Sequence, residues 1–313
     1  METINRPKHF NSDMLSAIGN TPLVELTNMS PNPNVKIYAK MESLNPGGSI
    51  KDRPAYYMIT KAEESGELHK GKIILEATSG NTGIALAMIG AAKGYKVELC
   101  MPQCASLERR HIIEAFGAMI TLTPAEKGTD GAIDKVRALA EKYPEKYYHP
   151  DQFSNPNNTL AHYETTGPEI LSQTNDNLDY FITGIGTTGT LMGVGKYLKE
   201  EKGNVKIIGV EPNLKHRIQG LKNLKEANIP SIFNPNILDE IINIDDESAF
   251  ATARELARKE GILAGISSGA SVAVCIRIAQ KIEKGSIVTI IADRGERYLS
   301  TNLFRSFCAK CPP

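Results

Sequence analysis

The sequence predicts an α/β protein of two domains, each a mostly parallel twisted sheet flanked by helices. Three observations carry that expectation. The 313 residues amount to roughly two domains of chain, enough to bury a large core. From residue 72 onward, short apolar runs alternate with helical stretches, the pattern of β-α units on a parallel sheet. The turns leading from strands into helices are rich in Gly, Ser and Thr, and ligands on such sheets sit at those turns.

Taken in order, residues 1–12 read as a loose arm and Asp13–Ile18 as a short helix ended by Gly19-Asn20. Leu23–Leu26 and Val35–Lys40 are short apolar or alternating runs bounded by Pro and Asn, as strands are. A Gly/Pro turn then opens a helix over Pro54–Glu64. Strands follow at Ile73–Ala77, Lys96–Met101, Met119–Leu122, Tyr180–Gly184, Lys206–Val210 and Ser286–Ala292. Helices are expected over Thr82–Lys93, Ser106–Phe116, Gly131–Lys142, Leu160–Thr174, Thr190–Glu200, Ser248–Glu260 and Ala270–Lys284. Pro and Asn concentrate near residues 150–160, where a domain boundary fits. No internal repeat and no low-complexity stretch occurs.

Composition excludes several classes. Lys+Arg and Asp+Glu both number 36, so no net field draws the chain to nucleic acid or to an anionic membrane. No run of 18 apolar residues forms a membrane span, and the polar N-terminus has no apolar signal core, so a cytoplasmic protein is expected. Five cysteines, an odd number in a long chain, do not make a disulfide framework. Cys308 and Cys311 at the C-terminus read as surface thiols, and Cys100 and Cys104 as packing residues. No histidine has metal-ligand spacing, so no catalytic metal is expected.

Four turns carry chemistry. In Asn45-Pro46-Gly47-Gly48-Ser49-Ile50-Lys51-Asp52-Arg53, one lysine sits in a tight turn at a helix start. Nearby backbone N–H groups and the positive helix end disfavour its ammonium form and favour a nucleophilic amine, whose usual partner is an aldehyde such as pyridoxal phosphate. Thr78-Ser79-Gly80-Asn81-Thr82-Gly83 clusters hydroxyls, an amide and free N–H groups at a helix start, a dock for a carboxylate. Gly184-Ile185-Gly186-Thr187-Thr188-Gly189-Thr190 makes a cup for one phosphate. It lacks the Lys-Ser/Thr of a nucleotide loop and the spacing of a dinucleotide fingerprint. Gly265-Ile266-Ser267-Ser268-Gly269-Ala270 offers a serine hydroxyl suited to a neutral ring nitrogen. The lysine turn also reads as a solvated lysine in a turn, and the Thr78–Gly83 and Gly265–Ala270 turns, singly, as ordinary Ser/Thr helix caps.

Together, and in this order, the motifs resemble the cysteine synthase family, B-type-like, among the fold-type II pyridoxal phosphate enzymes that include cystathionine β-synthase and the tryptophan synthase β fold. The resemblance runs from Ile18-Gly19-Asn20-Thr21-Pro22-Leu23 to Arg297-Tyr298-Leu299-Ser300-Thr301. It implies a larger cofactor-binding domain (1–45 with 158–313) and a smaller, mobile, substrate-closing domain (46–157). It implies that Lys51 holds the cofactor as an imine and moves the α-proton, and that Asn81 meets the cofactor 3′-oxygen. Gly186, Thr187, Thr188, Gly189 and Thr190 would hold the phosphate, and Ser267 the ring nitrogen. Thr78, Ser79, Thr82 and Gln152 would bind the substrate carboxylate. The implied reaction is β-replacement on a serine-type amino acid through an α-aminoacrylate, with O-acetylserine or O-phosphoserine as donor and sulfide or a thiol as nucleophile. A homodimer and docking of a serine acetyltransferase tail are implied as well.

Leu214–Asp239 departs from the common type by being longer and more basic. Lys215, His216, Arg217 and Lys222 are candidates to meet a substrate phosphate, and Asp239 a candidate base for a nucleophile such as water; a solvated basic loop is the plain alternative. The departure leaves room for a cysteine-consuming lyase that releases hydrogen sulfide. A non-catalytic paralogue that binds a partner's tail is a third reading, against which the intact Lys51, Asn81 and Ser267 argue.

Overall fold

The computed structural model describes residues 13–78 and 80–304. The chain runs β1 (Leu23–Glu25), β2 (Val35–Lys40), α1 (Asp52–Ser65), β3 (Ile73–Ala77), α2 (Asn81–Lys93), β4 (Lys96–Pro102), α3 (Leu107–Ala115), β5 (Met119–Thr123), α4 (Gly128–Lys142), β6 (Tyr147–Tyr148), α5 (Pro156–Ala161), α6 (Gly167–Gln173), β7 (Tyr180–Gly184), α7 (Gly189–Lys202), β8 (Lys206–Pro212), β9 (Glu240–Ile244), α8 (Asp246–Glu255), α9 (Ile266–Ala279) and β10 (Gly285–Ile290).

Two sheets result. One has the order β1-β2-β10-β7-β8-β9, parallel except for the antiparallel β1–β2 pair, and the other is the all-parallel β5-β4-β3-β6. The second sheet lies wholly within residues 46–157. The β-branched run Ser286-Ile287-Val288-Thr289-Ile290 is buried throughout, as a central parallel strand requires. Helix α2 is apolar nearly all round and is buried from Thr82 to Gly90 against the second sheet. Gly94 ends it in the left-handed conformation, φ +73°, as Gly66 ends α1 at φ +80°.

Four sequence expectations shift. Asp13–Ile18 is a single 3-10 turn, Leu15–Ala17. The expected helix Leu160–Thr174 is α5 and α6 joined by a π turn at His162–Thr166, where the Thr165 hydroxyl donates to the Ala161 carbonyl. Helix α9 starts four residues earlier and ends five earlier than Ala270–Lys284, because the small-residue turn is itself its first turn. Strands β6 and β9 were not expected. Cys308 and Cys311 lie outside the described residues.

Behind the lysine turn, a buried ion network ties four segments together. Arg53 donates to both carboxylate oxygens of Glu42, at 2.7 Å each, and to both of Glu169, also at 2.7 Å. Lys40 reaches Glu169 at 2.6 Å. Asn45 accepts from the Gly19 N–H at 2.9 Å and donates to Glu42 at 2.8 Å. Arg53, Glu42 and Lys40 are all inaccessible to solvent or nearly so. Burial alone would raise the Glu42 pKa, but the Arg53 guanidinium overrides it and holds the carboxyl below its ordinary range. Among the described residues, no helix is long and apolar enough to cross a membrane.

Candidate active site

The carboxyl ends of β3, β7 and β10 open into one cleft of about 460 Å³. The lysine turn lies across the end of β10: the Ile50 N–H donates to the Ala292 carbonyl at 2.8 Å, and Ser49 bridges Asp293. Asp52 fastens the turn from below by accepting the Gly47 N–H at 2.6 Å, and Arg297 donates to the Gly47 carbonyl. Gly48, at φ +78°, gives the turn a conformation that other residues rarely adopt.

Lys51 lines the cleft, and its amine has no hydrogen bond or ion pair among the described residues. Burial lowers its pKa to about 8, against the opposing pull of Asp293 and Glu42. Loss of solvent is therefore the largest influence that makes the amine available. The neutral fraction of an amine titrating near 8 rises about tenfold between pH 7 and 9. Apoprotein should bind pyridoxal phosphate covalently about tenfold faster at pH 9 than at pH 7, as followed by stopped-flow absorbance. A flat profile would place the amine's titration elsewhere.

The loop after β3 is ordered by its own hydrogen bonds. The Thr78 hydroxyl accepts the N–H groups of Gly80 (3.0 Å) and Gly83 (3.2 Å), which orders the loop. Thr82 donates to the Gln152 amide oxygen at 2.6 Å, and the Gln152 amide nitrogen donates to the Ala77 carbonyl at 3.0 Å. Thr78, Thr82 and Gln152 all line the cleft. Ser79 lies outside the described residues. Asn81 is fixed at both ends of its amide: it donates to Asp293 at 2.7 Å and accepts from Arg297.

The Gly184–Thr190 turn is built as a cradle. Thr188 takes a left-handed backbone, φ +69°, and its buried hydroxyl has no partner among the described residues. A Cβ on Gly186 would stand 2.6 Å from the Gly220 carbonyl, and one on Gly189 only 2.0 Å from Asn158 Oδ1. Helix α7 begins at this turn, and its N-cap residue Thr188 makes no side-chain cap hydrogen bond, so the N–H groups of its first turn are not capped by that side chain. Thr190 is hydrogen-bonded to His162 at 3.2 Å, and His162 to Thr166 at 2.9 Å. Burial, reinforced by the charges of Lys51 and Arg53, keeps this imidazole neutral, well below its ordinary pKa. Asn158 donates to Thr187 at 3.1 Å and to the Gln152 carbonyl at 2.7 Å, so cup and dock share one brace. Ser267 stands on the same cleft wall, and its hydroxyl has no partner among the described residues.

The basic loop divides. His216, Arg217 and Lys222 line the cleft. Arg217 is mostly exposed and pairs with Asp246 at 3.0 Å. The Lys222 ammonium lies 4.1 Å above the Phe153 ring, without a carboxylate partner, and burial lowers its pKa against the pull of Asp130. Lys215 does not reach the cleft; its N–H donates to Glu226 at 2.9 and 3.1 Å. Nor does Asp239, the candidate base. It accepts from Lys199 at 2.7 Å, Lys206 at 3.1 Å and the Ile207 N–H at 2.8 Å. Against the effect of burial, these hold its pKa near 2, so it serves as a structural anion.

Sequence reading missed Asn158, His162, Asp293, Arg297 and the cleft residues Arg109 and Gln219. Arg109 bonds to Gln219, approaches Asp293 at 3.9 Å and stacks 4.7 Å from the Tyr298 ring. The lining contains Lys51, Arg109, Arg217 and Lys222 and no Asp or Glu among the described residues.

A cleft lysine of lowered pKa, a turn with a Thr188 hydroxyl unpartnered among the described residues and a serine hydroxyl on the same wall make a donor set that a phosphorylated aldehyde cofactor would fit. A family model described as "Pyridoxal-phosphate dependent enzyme" matches residues 14–293, and the chain belongs to that family. Its curated relatives are more particular. It is 50% identical over 299 residues to a cysteine synthase of Aquifex aeolicus, covering 93% of this chain and 91% of that one. It is 46% identical over 287 residues to cysteine synthase B of Salmonella typhimurium, covering 92% and 94%. A solved hydrogen sulfide-producing enzyme from Fusobacterium nucleatum superposes with a TM-score of 0.88 at 42% identity, covering 93% of this chain and all of that one.

Proposed function

We propose that this enzyme makes cysteine by β-replacement: an O-activated serine loses its β-substituent, and sulfide takes its place. The observation that carries the proposal is the unpaired Lys51 amine, titrating near 8, in the same cleft as the Thr188 cradle and the Thr78–Thr82–Gln152 dock. Bound pyridoxal phosphate supplies the electron sink that makes the α-proton acidic and lets the β-substituent depart. The chain does the rest. Lys51 would hold the cofactor and, as a free amine, would take the substrate's α-proton on its Nζ. Gly186–Thr190 bind the phosphate, with Thr190 oriented by neutral His162. Asn81 presents an amide nitrogen whose orientation Asp293 and Arg297 fix. Ser267 offers a hydroxyl rather than a carboxylate, so no anion stabilises a proton on a ring nitrogen there; that favours elimination over transamination. Thr78, Thr82 and Gln152 orient the substrate carboxylate, and burial of the dock excludes water.

The all-cationic lining suits an anionic substrate, and Lys222 is placed for a charged leaving group. Purified enzyme offered O-acetylserine, O-phosphoserine or cysteine, with sulfide production or consumption recorded, tests the reading. Sulfide consumption with a serine ester supports it. Release of sulfide from cysteine as the dominant activity would favour the second reading, which the Fusobacterium relative brings forward. No turnover of any donor would favour the non-catalytic one. Replacing Lys222 with methionine should lower kcat/KM for O-phosphoserine by about ten- to a hundredfold, the worth of one charged hydrogen bond, and change O-acetylserine by less than threefold. Equal losses on both would remove Lys222 from leaving-group recognition. A cytoplasmic homodimer whose cleft accepts a serine acetyltransferase tail belongs to the same proposal. Sedimentation, and competition of a tail peptide with substrate, test it.

A further inference from the structure

Behind the carboxylate dock, and outside the cleft lining, lies a buried acid–base pair that the reaction as proposed does not use. Glu76, the penultimate residue of β3, is 1% exposed. One of its oxygens accepts the Ala77 N–H at 2.8 Å and faces His149 Nε2 at 3.6 Å. The other accepts the main-chain N–H of Gln152 at 3.2 Å. The pairing of β3 with β6 sets Tyr148 beside Ile74, and from the next position of the chain the His149 ring reaches Glu76. Between them, Asp151 takes a left-handed backbone, φ +46°, and swings Gln152 into the dock. Gln152 is thus held at its N–H by Glu76, at its carbonyl by Asn158, and at its amide by Thr82 and Ala77.

We infer that Glu76 and His149 are positioning residues for Gln152, and that protonated His149 strengthens docking of the amino-acid carboxylate. This rests on the reading of Gln152 as part of that dock. The physical reason is charge. With His149 protonated, the pair is neutral and Glu76 acts only as an acceptor for Gln152. Once His149 loses its proton, an uncompensated carboxylate stands one residue behind the place where the substrate's own carboxylate binds. Like charges at that range repel, and the loop that carries Gln152 loses its electrostatic tether. The groups that face His149 agree with this. Burial opposes its charged form, as does Arg137 of α4, but Glu76 and Asp151 outweigh both and raise its pKa above the ordinary value. The favourable state therefore prevails below the raised pKa and is lost as pH rises through it.

The test compares wild-type holoenzyme with His149→Gln from pH 6 to 8.5. The donor is β-chloro-L-alanine, whose leaving group does not titrate. Titrations of the substrate amine and of Lys51 are common to both proteins and cancel in the ratio. The wild-type KM should rise about fivefold more than the variant's across this range, with the kcat ratio unchanged. Parallel KM profiles, or an effect confined to kcat, would overturn the inference. Folding of the variant is not the only safeguard. In wild-type enzyme, the NMR titration of the His149 ring should lie above the ordinary histidine value and should fall in Glu76→Gln; an unchanged titration would also overturn it. Gln152→Ala examines the underlying reading by itself: it should raise KM at every pH. An unchanged KM there would sink the dock while leaving the NMR coupling of Glu76 to His149 intact.

Discussion

Replacing Lys51 with alanine will lower turnover by about 10³-fold or more, because both the covalent anchor and the proton-moving base are lost. The loss should fall on kcat. The cradle, the Thr78–Thr82–Gln152 dock and Ser267 are untouched, so the variant should still bind the cofactor non-covalently, with the absorbance of a free aldehyde in place of the lysine-bound form. Added small primary amines, which can stand in for the missing base, should restore part of the rate. A variant that kept a tenth of wild-type turnover would show that another group moves the proton. Among the described residues the other basic groups of the cleft are two guanidinium groups, Lys222, which stacks on Phe153, and His216, whose replacement with glutamine would then be the next variant to measure.

The largest expected effect on stability is at Arg53. Replacing it with methionine leaves Glu42 and Glu169 facing each other across a buried space with Lys40 as the sole remaining cation of the network. Breaking such a pair from one side costs about 3–5 kcal/mol, and holoenzyme should melt roughly 5–15 °C lower. The sign with pH follows. In the wild type, Glu42 and Glu169 are both held below their ordinary range, so they contribute stability above the unfolded value of about 4.3, and it is lost as pH falls through the folded values. In the variant, the unpaired carboxyls should titrate above the unfolded value, so protonation relieves them. The deficit relative to wild type should therefore shrink as pH falls from 7 to 5. A change in melting temperature of under 2 °C, or a deficit that grows on acidification, would mean that the network is not what ties β2, α1 and α6 together. Because Arg53 follows Lys51 by two residues, loss of this tether should also loosen the lysine turn and weaken cofactor retention.

The parts of the molecule legible in the sequence are those whose signal is local. Strands such as Tyr180–Gly184 and turns such as Gly184–Thr190 announce themselves by apolar runs and small residues, and the structure puts them where expected. Strand β9 was hidden because it is an edge: of Glu240-Ile241-Ile242-Asn243-Ile244 only the last is fully buried, so no alternation appears, and a long loop precedes it. Strand β6 has two residues, too few for any period. The start of α9 was read as a turn because Gly265–Gly269 looks like a cap, yet Ser267 and Ser268 are already helical. In the cleft, the residues named from motifs were legible, whereas the residues that hold them were not. Asn81 and Asp293 are 212 residues apart in sequence, and Gln152 and Glu76 are 76 apart. Nothing local to Asp293, Arg297 or Glu76 signals those contacts, which form only once segments distant in sequence pack together. The assignment of Asp239 went astray for the same reason, since Lys199 and Lys206 reach it from two different elements.

The most direct test of the account is to fix the cofactor where it sits. Holoenzyme reduced with borohydride, digested and mapped by mass spectrometry should carry the phosphopyridoxyl group on the peptide that contains Lys51, with one group per chain. The group on any other lysine, such as Lys222, or on none, would contradict the central claim that the amine at the head of α1 holds the cofactor.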